Sequence, residues 1–147
     1  MTKILYVEDE SDLREDLIEE LEEDGYEVAW APNGAEGLRM LEDFKPDLVI
    51  SDGLMPVMTG IQMLEQMRAS DSPFRATPFI FLSAHADRAH VEQGLDVGAD
   101  GYVTKPADYS TLVQKIEALC KRKPDALLRN QSGSKDVPHW LVLKAPP

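Results

Sequence analysis

Leu48-Val49-Ile50-Ser51-Asp52-Gly53-Leu54-Met55-Pro56 is the stretch on which the fold turns. It is a short apolar run that stops at an acidic residue and passes into a glycine- and proline-marked loop, the pattern of a buried strand ending in a turn. Working outward, Lys45-Pro46 breaks a helix over Ala35 to Phe44, and Asp47 to Ser51 is the buried strand. Upstream, Ile4 to Val7 reads as a buried strand, Ser11 to Asp24 as a helix closed by Gly25, and Tyr26 to Ala31 as a further strand before the turn Pro32-Asn33-Gly34. Downstream come a helix over Ile61 to Met67, a polar loop, a strand over Pro78 to Ser83, and a helix over Asp87 to Val97 with an internal Gly94. A short strand over Gly101 to Thr104 and a last helix over Tyr109 to Lys121 complete the series. Five β-then-α units in a row predict an α/β protein, with a doubly wound parallel sheet and helices on both faces. Right-handed crossovers leave a few strand orders open, and all of them put a ligand site outside the carboxyl ends of the strands.

A length of 147 residues suits one core, and the pattern stops after Lys123. Residues 1–123 are therefore expected to form the domain, and 124–147 a linker or tail. Net charge is −12 (15 basic against 27 acidic residues), which opposes direct binding to nucleic acid. The lone Cys120 excludes an internal disulfide. The amino terminus runs straight into the first strand with no basic leader or long apolar span, so the expected location is the cytoplasm, with no membrane partner.

The residues at the strand ends form a chemically coherent set. The first strand leads to Glu8-Asp9-Glu10, the third to Ser51-Asp52, the fourth to Ser83-Ala84 and the fifth to Thr104-Lys105-Pro106. Each alone is ordinary: an acidic first helical turn, a capping Asp, a Lys-Pro loop. Together, at one sheet edge, they bring carboxylates, a hydroxyl and an ammonium into one place. Clustered carboxylates repel, and a hard divalent cation with oxygen ligands relieves that repulsion. An open, water-rich carboxylate site suits Mg²⁺ (or Mn²⁺). Metal and lysine could screen a carboxylate attacking a phosphoryl group, with Ser83 donating to a phosphoryl oxygen and an aspartyl phosphate as product.

Over residues 1 to about 122 the chain resembles response-regulator receiver domains. The resemblance rests on Glu8-Asp9, on Asp52-Gly53-Leu54-Met55-Pro56-Val57-Met58-Thr59-Gly60, on Leu82-Ser83-Ala84, and on Gly98-Ala99-Asp100-Gly101-Tyr102 leading to Lys105-Pro106. It implies a flavodoxin-like five-stranded sheet of order 2-1-3-4-5. It implies a phosphorelay phosphoprotein of a two-component system, taking a phosphoryl group from a histidine kinase or histidine phosphotransfer protein onto Asp52. Asp9, Asp52 and the Leu54 carbonyl would ligate the metal directly, and Glu8 through water. Ser83 and Lys105 would contact the phosphoryl group, Tyr102 would be the aromatic switch, and Lys105-Pro106 a cis peptide. The helix over 87–97, the strand over 101–104 and the helix over 109–121 would form the face that meets a downstream protein target. Slow self-dephosphorylation is expected, without turnover of an external substrate, so the chain is not read as an enzyme. The acidic pair is Glu-Asp where many relatives carry Asp-Asp, and Glu8 should still reach the metal's water shell.

Three rivals stand beside this reading. An aspartyl-nucleophile phosphatase commonly has a second acid two residues after the nucleophile, and Leu54 occupies that place. A flavin carrier would be repelled by Glu8-Asp9-Glu10. A degenerate receiver serving only as an interaction module conflicts with the full set of site residues. His85, His90 and His139 fit no zinc spacing and are read as surface residues, while Met55, Met58, Met63 and Met67 are read as loop and core filling. Trp30 is expected to pack at a strand end. His139-Trp140-Leu141-Val142-Leu143 is an apolar run in the tail that could dock on a receiver surface, its own or that of a second copy in a homodimer.

Overall fold

The computed structural model describes residues 2–84, 88–105 and 108–131, with side chains described as far as Cys120. Strands and helices alternate: β1 (Lys3–Val7), α1 (Ser11–Glu23), β2 (Glu27–Ala31), α2 (Gly34–Phe44), β3 (Leu48–Ser51), α3 (Gly60–Met67), β4 (Phe79–Ser83), α4 (Arg88–Val97), β5 (Gly101–Thr104) and α5 (Tyr109–Gln131). All pairings are parallel, in the order β2-β1-β3-β4-β5. The sheet order implied by the resemblance is thus the one observed.

Local chemistry places the boundaries. Gly25, at φ 93°, takes the left-handed conformation that ends α1. The Asn33 side chain accepts the Glu36 N–H at 2.9 Å and so starts α2. Thr59 and Gln62 cap α3 reciprocally, each side chain accepting the other residue's backbone N–H. The last helix departs from expectation: it does not end at Lys121 but runs on to Gln131, through Pro124. A proline inside a helix removes one backbone donor without always ending it, and the strong helix formers of Ala126-Leu127-Leu128 come next. The expected cis peptide at Pro106, together with His85, Asp87 and the run from His139 to Leu143, lies outside the described residues.

Successive strand residues face opposite layers. Leu5, Val7, Val49, Phe79 and Phe81 pack against Leu41 of α2, Met63, Leu64 and Met67 of α3, and Val91 of α4. Ile4, Tyr6, Leu48, Ile50, Ile80 and Leu82 pack against Leu17 and Leu21 of α1 and Leu112 and Ile116 of α5. Three of the four methionines read as filling are buried, with Met58 partly buried beside them. This is the double winding that makes both faces of the sheet apolar. In this strand order the chain reverses direction between β1 and β3, so the crevice lies beyond their carboxyl ends.

Candidate functional site

Ladder pairing runs one residue past the strands and sets the site. Val7 and Ser51 are register partners, and the Asp52 N–H donates to the Val7 carbonyl at 3.0 Å. The Glu8 N–H donates to Ala31 at 3.0 Å, and the Lys105 N–H to Ser83 at 2.8 Å. Glu8, Asp52, Ser83 and Lys105 thus all sit just beyond, or at, the last paired residue of a strand. The start of α3 closes in from behind: a Cβ on Gly60 would lie 2.3 Å from the Asp52 carbonyl oxygen, so only glycine fits.

One carboxylate oxygen from each of Glu8, Asp9 and Asp52 lies within 4.8 Å of the others. Glu8 is buried, Asp52 is half-buried and Asp9 is exposed. Lys105 does not lie closest to Asp52: its Nζ is 2.7 Å from Glu8 Oε1 and 3.8 Å from Asp52 Oδ2. The Tyr6 hydroxyl also donates to Glu8 Oε1, at 3.2 Å, and the Glu10 N–H donates to Oε2 at 3.3 Å. Asp52 Oδ1 accepts the Gly53 N–H at 2.7 Å. A Cβ on Gly53 would be 3.3 Å from Ser83 Oγ, so the serine hydroxyl lies against the backbone just after Asp52.

Burial pushes the Glu8 carboxyl above the usual carboxylate range; the bond and charge of Lys105 pull it down, and Asp52 pushes it further up. Burial, reinforced by the Glu8 charge, likewise raises the Tyr6 hydroxyl. The donor set is oxygen-only and acidic, with Asp9 exposed and Asp52 partly so, which fits a hard divalent cation better than a softer metal.

The other expected residues fall around this centre. Leu54 is half exposed in the loop after Asp52, and a cleft of about 340 Å³ beside it is walled by Gly53, Leu54, Ser83, His90 and Tyr102. Tyr102 is buried, its ring centroid 5.6 Å from that of Phe81. Gly94, which looks like a weakness in its helix, lets α4 lie on these rings: a Cβ there would be 3.0 Å from Phe81 and 3.4 Å from Tyr102. His90 is exposed, in keeping with a surface residue. Two residues with no motif of their own complete the surroundings. Tyr6 is two positions before Glu8 on the same sheet face, a signal that strand alternation carries. Arg14 donates to the Glu8 carbonyl at 2.8 Å, and its guanidinium stacks 3.8 Å from the ring centroid of Trp30, which is half exposed rather than packed away.

The chain matches the response regulator receiver domain family over residues 4–117. It is 38% identical over 121 residues to the transcriptional regulatory protein CseB of Streptomyces coelicolor, covering 82% of this chain and 50% of that protein. It is 36% identical over 133 residues to the response regulator ArlR of Staphylococcus aureus, covering 90% and 59% respectively. The chain therefore spans about half the length of the curated relatives it matches. Among solved structures, the receiver domain of Francisella response regulator 1452 aligns with a TM-score of 0.77 at 30% identity, over 83% of this chain and 98% of that one. The chemotaxis response regulator CheY4 of Vibrio cholerae aligns with a TM-score of 0.74 at 32% identity, over 81% and 98%.

Proposed function

The chain belongs to the response regulator receiver domain family, and from that premise we propose that it is a signalling switch that accepts a phosphoryl group on Asp52. The observation that carries this reading is the convergence of Glu8, Asp9 and Asp52 within 4.8 Å, with the Lys105 ammonium 3.8 Å from Asp52 Oδ2. The Gly53 N–H holds Oδ1, which leaves Oδ2 as the oxygen that faces the lysine and attacks. A bond forms between Oδ2 and phosphorus while the bond from phosphorus to the donor's imidazole nitrogen breaks, and the imidazole leaves with the electron pair and takes up a proton. Lys105 and the Ser83 hydroxyl stabilise the charge that gathers on the phosphoryl oxygens. Asp9, Asp52 and the Leu54 carbonyl would hold Mg²⁺ directly, and Glu8, whose oxygens already accept from Lys105, Tyr6 and Glu10, would reach it through water. When bound, the ion neutralises the acidic cluster and the incoming phosphoryl charge.

The donor is a histidine kinase or histidine phosphotransfer protein. The downstream target is a protein that meets α4, β5 and the start of α5, with Tyr102 reporting the state of Ser83. A charge of −12 opposes direct contact with nucleic acid, and residues 1–123 act as the receiver with 124–147 as an appended segment. Incubation with a small acyl phosphate and Mg²⁺ tests the reading by intact mass. One hydroxylamine-labile phosphoryl group is expected, absent with chelator and absent in Asp52→Asn. The same labile adduct on Asp52→Asn would refute it.

A further inference from the structure

Glu8 carries one methylene more than an aspartate in its place would, and its carboxylate is correspondingly freer to swing. Among the described residues, three donors restrain it. Lys105 Nζ at 2.7 Å is the shortest, the Tyr6 hydroxyl is at 3.2 Å on the same oxygen, and the Glu10 N–H at 3.3 Å holds the other. These donors differ in what they are free to do. Lys105 sits on the loop after β5, 3.8 Å from Asp52, and its charge is needed on the phosphoryl group once one is present. Tyr6 lies in the middle of the sheet, 1% exposed, between β2 and β3 and under α1 and α5, so its ring is fixed. Strand alternation puts its hydroxyl directly beneath the Glu8 side chain.

We propose that Tyr6 is a positioning residue that retains the Glu8 carboxylate when Lys105 leaves it for the phosphoryl group. The inference rests on the phosphoacceptor reading of Asp52. Before phosphorylation the ammonium is the dominant partner of Glu8, and the phenol is a supplement on the same oxygen. After phosphorylation the ammonium is engaged elsewhere, and the phenol and the Glu10 N–H are the donors left to a buried anion. A buried carboxylate short of donors is costly, so the phenol then carries a larger share of holding Glu8 in place. Tyr6 thus matters more in the phosphorylated state than in the resting one.

Calorimetric titrations of Tyr6→Phe separate the two states. The first titrates Mg²⁺ alone; the second titrates beryllofluoride, a tetrahedral mimic of a phosphoryl group on a carboxylate, at saturating Mg²⁺. The variant keeps the ring and its packing, and a thermal melt verifies its fold. Affinity for Mg²⁺ alone is expected to stay within about twofold, while affinity for beryllofluoride falls about three- to tenfold, the net weight of one ordinary hydrogen bond, as suits a contact of 3.2 Å. In a Glu8→Asp background, where the shorter carboxylate draws back from the phenol, Tyr6→Phe should change neither affinity. Unchanged beryllofluoride binding, equal losses in both titrations, or the same loss in the Glu8→Asp background would each overturn the proposal. If the parent chain binds neither Mg²⁺ nor beryllofluoride, the phosphoacceptor reading itself falls and takes this inference with it.

Discussion

Replacing Lys105 with Met would remove the cation bonded to Glu8 while keeping most of the aliphatic stem. Glu8 is 1% exposed, and among the described residues the donors left to it are two neutral groups at 3.2 and 3.3 Å. Stripping one partner from a buried ion pair destabilises by about 3–5 kcal/mol. The Lys105 side chain is 18% exposed and the site opens toward solvent at Asp9, so the lower end applies, about 3 kcal/mol at neutral pH. At roughly 4 °C per kcal/mol for a chain of this size, the melting temperature should drop by about 12 °C. The loss has a definite pH dependence. Burial already holds the Glu8 carboxyl above its ordinary value, and removing Lys105 takes away the group that pulls it down. A carboxyl whose folded pKa is raised binds its proton more tightly folded than unfolded. Its contribution therefore favours folding at low pH and is lost as pH climbs from the unfolded value through the folded one. The gap between variant and parent should accordingly narrow from neutral to mildly acidic pH, as Glu8 of the variant takes up its proton and the buried charge is lost. Thermal melts of both proteins in chelator at the two pH values measure this. An equal gap at both, or no gap at either, would refute the claim that Lys105 serves chiefly to neutralise Glu8 in the resting state.

Gly60→Ala should destabilise by about 3 kcal/mol and also weaken Mg²⁺ binding, because its Cβ meets the Asp52 backbone carbonyl, which has no room to yield. Chemical denaturation and metal titration test the two effects, and a variant of parent stability would contradict the close approach. Beryllofluoride should change amide exchange in α4, β5 and the first turns of α5 more than in α1, since α4 contributes few large apolar side chains to the core. Uniform changes across the chain would count against that face as the one that responds.

Much of this was legible in the residue pattern, and the gaps have physical causes. The parallel sheet could be read because its strands are short apolar runs, and the site because each strand ends on a group that makes sense only beside the others. Lys105's preference for Glu8 over Asp52 could not be read, since motif positions place both lysine and acids at one edge without deciding which oxygen the ammonium reaches. Tyr6 was hidden by its residue type: an aromatic in a buried strand reads as core, and its hydroxyl matters only once Glu8 is known to stand above it. Gly94 reads as a helix defect until Phe81 and Tyr102 are seen beneath it. The extension of α5 to Gln131 was masked by Pro124 and a polar composition, which outweighed the helix-forming Ala126-Leu127-Leu128 in a sequence reading.

The central claim is that Asp52 is the phosphoacceptor, and locating the modified residue tests it most directly. An aspartyl phosphate is reduced by borohydride to homoserine, which leaves a permanent mass change at the residue that carried the phosphoryl group. After treatment with a small acyl phosphate and Mg²⁺, reduction and peptide mapping should find homoserine at position 52 alone. Reduction at Asp9 instead, or a borohydride-resistant phosphoryl group on Ser83, would contradict it.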